Sequence, residues 1–150
     1  MKIFGIDVGM KGALTVMDNG DSIIDIIEFN KGTERDICDA IIEHTRDCTL
    51  SEVMAFIENV HSMPKQGVAS SFKFGDGCGF LRGLLTALKI PYEKVTPQTW
   101  QKALGCLSHG DKNITKAKAQ QLYPSRKITH ATADSILIAV YGMRKMQNKL

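Results

Sequence analysis

The sequence predicts an α/β fold: one mixed five-stranded sheet, an antiparallel three-strand meander plus parallel strands, flanked by helices. Three observations carry that expectation. Residues 1–29 hold three β-prone apolar segments joined by turns too short for anything but antiparallel pairing. Beyond them helical and extended apolar segments alternate, the pattern of parallel strands linked by crossovers. The length of 150 residues is that of one domain, 1–150, large enough to bury a core without staples.

Residues 1–8 (MKIFGIDV) read as the first strand, and Gly9 to Gly12 turn the chain into the second, 13–17. Asp18-Asn19-Gly20-Asp21 is a hairpin turn, because Asn-Gly accepts the positive φ angles that two-residue turns require, and the third strand follows at 22–29. Thr33 caps a helix with Ile37, Ile41 and Ile42 on its apolar face. Residues 52–59 (EVMAFIEN) return as a strand buried in the sheet, beside the first. The long helix over 70–88 carries glycines at 75, 77, 79 and 83, which lower helix propensity but let another backbone approach closely. A fifth strand spans 91–95, and helices follow at 97–104, at 114–122, which Pro124 ends, and at 131–146 with Ile136, Leu137, Val140 and Met143 as its stripe. Phe72 and Phe74 are expected in or beside the core or a dimer interface, and Trp100 as a packing anchor.

Composition narrows the function classes. Hydrophobic residues make up 43% and charged residues 23%, so disorder and fibrous repeats are poor readings. No apolar run approaches the ~20 residues of a membrane span. Asp7 interrupts the N-terminal apolar stretch and no small-residue cleavage site follows, which argues against a signal peptide and for a cytoplasmic protein. Cys38, Cys48, Cys78 and Cys106 have no CxxC or CxxH grouping, so neither zinc nor a redox pair is suggested. The net charge of +3 divides into −5 over residues 1–88 and +8 over 89–150, with ten acids against three bases in 18–52. A basic face is the footprint of a nucleic-acid binder; solvated helix lysines are the ordinary alternative.

Three carboxylates and a histidine stand in awkward places. Asp7 lies in IFGIDVG and Glu58 in AFIENV, each at the end of an apolar strand, and Asp134 lies at the start of an apolar helix. Burying a charge is costly unless it is paired or metal-bound. Each has a plainer reading: Asp134 favours a helix N-terminus, Glu58 marks a solvated strand end, Asp7 hydrogen-bonds the glycine turn. Neighbouring first and fourth strands would bring Asp7 and Glu58 together, however, and two carboxylates at close range call for a cation between them. All-oxygen ligands select Mg²⁺ or Mn²⁺. His130, four residues before Asp134, shares its helix face if both are helical.

Five segments in order, GIDVG, FIENV, SSFKFGDGCGFLRGLL, IPYEKVTPQTWQKALG and HATADSILIAVYG, resemble the RuvC-type Holliday junction resolvases, especially phage versions, within the RNase H-like superfamily. The resemblance covers nearly the whole chain. It implies a divalent-metal endonuclease with an RNase H-like fold that acts as a homodimer on branched DNA, cutting two opposed strands of a four-way junction. Asp7 matches the first-strand aspartate, Glu58 the fourth-strand glutamate and Asp134 the last helical aspartate. The family's fourth position, one turn earlier, falls on Ala131, and His130 is the substitute. Hydrolysis would use two Mg²⁺ ions about 4 Å apart, with Mn²⁺ as a possible replacement, to activate water and stabilise the leaving oxygen. His130 would coordinate a metal, orient the nucleophile or protonate the leaving group.

Phosphate-binding candidates are Lys65, Lys73, Arg82, Lys102, Lys112, Lys116 and Lys118, with Lys112 and Lys116 favoured. His61, in the loop after Glu58, matches the position where the family inserts a side chain at the junction centre; an exposed loop histidine is the plain alternative. The glycine-spaced helix is the expected dimer surface. Three other functions compete: an actin-like or sugar-kinase ATPase, which shares a DVGMKGA-like hairpin but needs two lobes; a non-catalytic junction-binding module; and a nuclease of the same fold cutting flaps, forks and other branched DNA.

Overall fold

The computed structural model describes residues 1–60 and 67–150. Strands β1 (Lys2–Ile6), β2 (Ala13–Met17), β3 (Ile23–Glu28), β4 (Val53–Glu58) and β5 (Tyr92–Val95) alternate with helices α1 (Glu34–Thr45), α2 (Val68–Ala87), α3 (Pro97–Ala103), α4 (Lys112–Leu122) and α5 (His130–Met146) in the order βββαβαβααα. They form one sheet of order β3-β2-β1-β4-β5. The β1–β2 and β2–β3 pairs are antiparallel and β1–β4 and β4–β5 parallel, as the turn lengths require. This is the mixed sheet expected from the sequence.

Alternation along the strands divides the core into two halves. Phe4 and Ile6 of β1, with Val8 just beyond it, face α1 and α2, meeting Ile37, Ile41, Leu81 and Leu85. Ile3, with Met17 and Phe56, faces the other way, onto α3, α4 and α5 through Trp100, Leu104, Ala119, Ile136 and Leu137. Each such side chain contributes about 1.5–3 kcal/mol on full burial. Helix α5 is the central support: Ser135 Oγ lies 2.8 Å from Thr15 Oγ1 in the buried α5–β2 contact. Helix α1, which carries Glu34, Asp36, Asp39 and Glu43, lies on the opposite face, so much of the acidic half of the sequence is kept away from α5.

Several boundaries differ from the sequence reading, and caps explain them. Asp111, whose carboxylate accepts from Asn113 N at 2.9 Å, starts α4 at Lys112, two residues early. A Thr129–Thr132 capping box starts α5 at His130. Ile42 is 41% exposed rather than part of the α1 face, because Ile37 and Ile41 take the inward positions four apart and Ile42 lies about 100° further round. Phe74 packs against the α1-side core, but Phe72 is 75% exposed, which removes it from the core of this chain. Trp100 is fully buried, the anchor expected. Among the described residues no helix is long and apolar enough to cross a membrane.

Candidate active site

Period-two alternation places the acids. Asp7 follows Ile6 at the end of β1, and Ile6 pairs with Ile57 in the parallel β1–β4 ladder, so Asp7 and Glu58 leave adjacent strands in register. Asp7 has the parity of Ile3 and Glu58 that of Phe56, the residues facing α5, so both carboxylates emerge on that face. Asp134, in the second turn of α5, completes the group. All three line one cleft of about 540 Å³ at the carboxyl ends of the parallel strands, where open α/β sheets place their ligands.

Each carboxylate is held differently. Asp7 is 6% exposed, and its Oδ1 accepts the amide N–H of Gly9 at 3.1 Å, so it also ties the glycine turn as its plainer reading required. A Cβ at Gly12 would meet the Asp7 carbonyl oxygen at 2.2 Å, so only glycine lets the turn fold back this closely. Glu58 Oε1 accepts from the Trp100 indole Nε1–H at 3.1 Å. Asp134 is 9% exposed; Lys112 Nζ stands 3.8 Å from its Oδ2, while its Oδ1 is buried with no hydrogen-bond partner among the described residues.

The cluster is electrostatically frustrated. Burial pushes the Glu58 carboxyl up to about 8, and the charges of Asp7 and Asp134 push the same way, against the Trp100 hydrogen bond and Lys112. Burial also raises Asp7, opposed by the Gly9 N–H, while Asp134 adds to the rise and Lys112 reduces it. Folding therefore retains a proton on Glu58 that the unfolded chain releases above about pH 4.5, so stability is lost as pH rises from there to about 8. With chelator present, the unfolding free energy from urea titrations is expected to fall across that window, by at most about 1.4 kcal/mol per pH unit per group, and Mg²⁺ should flatten the slope. A midpoint that climbs with pH in chelator would contradict the burial of these acids.

Among the described residues, no three carboxylate, imidazole or thiol groups lie close enough, as the side chains stand, to enclose an ion. The donors nevertheless fit a divalent cation in kind: all are hard oxygens, they repel one another, and the orphaned Asp134 Oδ1 is an acceptor that such an ion would satisfy.

The other candidates separate. Lys112 lines the acid cleft with Thr115 of α4. Lys116, one turn along α4, is half-buried, as is Lys118, whose charge is felt by Cys106. Arg82 lines a second cleft of about 450 Å³ that shares Glu58, Lys73 lines a groove between α2 and the glycine turn, and Lys102 lies on a shallow surface with Gln98 and Leu107. His61 and Lys65 lie outside the described residues. His130 is exposed and is not among the residues lining the acid cleft. It opens α5 a full turn, about 6 Å, before Asp134, and side chains tilt toward a helix N-terminus, which carries it further out.

Two residues that sequence reasoning passed over are at the site. His109 lines the acid cleft, at a positive φ of 49°, in a loop that Gln101 fastens by accepting from both the backbone N–H and the hydroxyl of Ser108 at 3.0 Å. Lys94 of β5 joins Arg82 in the second cleft. Neither has a signal beyond its residue type: His109 sits in a loop with no periodicity and Lys94 on a short edge strand.

No protein-family model matches the sequence, and no curated protein matches it. Solved structures do. Thermus thermophilus RuvC aligns at a TM-score of 0.66 with 15% identity, over 99% of this chain and 98% of that one. The same organism's RuvC in complex with a Holliday junction substrate aligns at 0.68 with 14% identity and the same coverage. Sheet order, helix placement and alignment over nearly the full length agree: the chain has the RNase H-like fold of RuvC.

Proposed function

We propose that this protein is a structure-selective, divalent-metal-dependent DNA endonuclease that resolves four-way junctions by paired phosphodiester hydrolysis. The observation that carries the reading is the convergence of Asp7, Glu58 and Asp134 in one cleft with a cationic rim, on a fold shared with a RuvC that has been captured with a Holliday junction.

Asp7, Glu58 and Asp134 would hold Mg²⁺, or Mn²⁺ in its place. When bound, the metal supplies an activated water and neutralises charge on the phosphate. The protein's own contribution is arrangement. The Gly9 amide and the Trp100 indole fix the two strand carboxylates in register. Burial, and after it the charges of its neighbours, favour a protonated Glu58 until a positive charge arrives. Lys112 stands at the rim, where its ammonium is free to meet a phosphate oxygen once Asp134 is otherwise satisfied. His109 stands at the same rim, in place to orient a water or a leaving oxygen.

A second copy of the chain is part of the proposal, since two opposed strands need two sites. Helix α2 supports it. A Cβ at Gly75, Gly77, Gly79 or Gly83 would meet nothing within 4 Å among the described residues, so packing against these does not require the glycines. Each costs roughly 0.5–1 kcal/mol of helix stability relative to alanine, and exposed Val68 and Phe72 flank them. A close-packed partner helix explains Gly75, Gly79 and Gly83, which share one face of α2 with Val68 and Phe72.

Cation contacts to phosphate make binding depend steeply on salt. Replacing Lys112 and Lys116 by alanine together should reduce the slope of log K against log salt by about one unit per lysine, measured by anisotropy on a fixed junction. An unchanged slope would show that they do not touch DNA. The function itself is tested with labelled four-way junction, fork, flap and linear duplex, each with Mg²⁺, with Mn²⁺ and with chelator. Symmetric paired nicks in the junction alone are expected. Equal cutting of forks and flaps would make it a broader branched-DNA nuclease of the same fold, and binding without cutting would make it a non-catalytic junction module.

A further inference from the structure

Trp100 is the one tryptophan of the chain. It is fully buried in α3, between the hydrophobic core and the acid cleft, yet its single polar atom is spent on Glu58, 42 residues away, at 3.1 Å. Helix α3 has little freedom to put it elsewhere. It starts directly after β5 with Thr96 as its cap, accepting from Thr99 N at 3.2 Å, and Pro97 at its first position. Strand β5 pairs in parallel with β4 and sets Val95 against Glu58. The rigid indole is thus delivered to the glutamate by the sheet register itself.

An indole N–H has properties that suit this place. It donates only, so it can hold a carboxylate oxygen but cannot itself coordinate a cation. It is neutral, so an incoming divalent ion does not repel it, as it would repel the ammonium of Lys112. It also favours the ionised form of Glu58 against the burial and the like charges that favour the protonated one. A glutamate side chain has several rotatable bonds, and ordering it at the moment of cation binding costs conformational entropy that a hydrogen bond already in place avoids.

We propose that Trp100 is the positioning residue of the acidic cluster: its indole N–H holds Glu58 Oε1 and leaves Oε2 as the oxygen presented to a divalent cation. The proposal rests on the metal-site reading given above. It makes Trp100 a built-in reporter of the site, because a charge arriving beside Glu58 alters the field on its indole.

The test is Mn²⁺ binding, followed by the electron paramagnetic resonance of free Mn²⁺ and by tryptophan fluorescence, with no DNA and no turnover. In the wild-type protein Mn²⁺ should change the fluorescence saturably, with the midpoint given by resonance. Trp100→Phe removes the N–H and should weaken Mn²⁺ binding by about tenfold or more, the usual effect of losing a hydrogen-bond partner behind a ligand. Because Trp100→Phe also leaves a void in the core, the same measurement is made with 3-benzothienylalanine at position 100, which replaces N–H by sulfur with the shape conserved. An equal loss of affinity in the isostere, with an unchanged melting temperature, supports the positioning role. Wild-type Mn²⁺ affinity in the isostere overturns it and leaves the metal-site reading standing. Absence of any Mn²⁺ binding to the wild-type protein overturns both.

Discussion

Asp7→Asn is expected to abolish Mg²⁺-dependent cleavage, by at least about a thousandfold or roughly 4 kcal/mol of barrier, while leaving junction affinity within about twofold of wild type. The separation follows from geometry. The asparagine Oδ1 can still accept from Gly9 N, the contact made at 3.1 Å by the aspartate, so the turn against which Asp7 is buried survives. What disappears is one of the negative charges available to a cation, and nothing on the phosphate-binding rim changes. Stability supplies an independent sign. The Asp7 charge is among the causes that raise Glu58, so its removal relieves repulsion inside the cleft. The variant should therefore be at least as stable as wild type to urea at neutral pH in chelator, and its stability should depend less on pH. A merely structural aspartate would behave in the opposite way, losing stability and binding together. Mg²⁺-dependent cutting by purified Asp7→Asn would sink the nuclease assignment.

Much of this was legible from residue order, for identifiable reasons. Asn19-Gly20 and the Gly9–Gly12 turn leave no room for a crossover, so the meander is forced, and the next apolar strand joins the free edge of β1. The adjacency of Asp7 and Glu58 follows from that topology and the two-residue period alone. Other features depend on distances that no local pattern encodes. The Trp100–Glu58 hydrogen bond spans 42 residues and exists because β5 sets the start of α3. His109 reaches the cleft because Gln101 folds its loop back, and His130 does not line it because it stands a full turn of α5 before Asp134. Residue type and helix spacing alone point to His130, whereas the loop held by Gln101 is what brings His109 to the cleft. Helix α2 shows the converse: its glycines are conspicuous in sequence, but among the described residues a Cβ at Gly75, Gly77, Gly79 or Gly83 would meet nothing within 4 Å.

Gly5→Ala should be strongly destabilising. A Cβ at Gly5 would stand 2.3 Å from both Ala139 N and Ser135 O, backbone atoms of α5 that have no rotamer in which to escape. Helix α5 would have to lift from β1 by more than 1 Å, opening its contacts with β2 and β4 as well and straining the 2.8 Å contact between Ser135 and Thr15. The expected loss is about 4 kcal/mol or more, at the upper end of what overpacking produces, and it should appear as a large fall in the urea midpoint. Gly83→Ala is the matched control, since the same methyl there meets nothing within 4 Å and should be neutral or stabilising by up to about 1 kcal/mol in the monomer. The comparison also bears on the site. Asp7 extends from the strand that Gly5 belongs to, and Asp134 sits one residue before Ser135, so the close approach at Gly5 sets the distance between these two acids. Any Gly5→Ala protein that still folds should therefore bind Mn²⁺ more weakly than wild type, because its α5 carboxylate has been moved away from the sheet. Wild-type stability with wild-type Mn²⁺ affinity would show that α5 does not rest on β1 through this glycine.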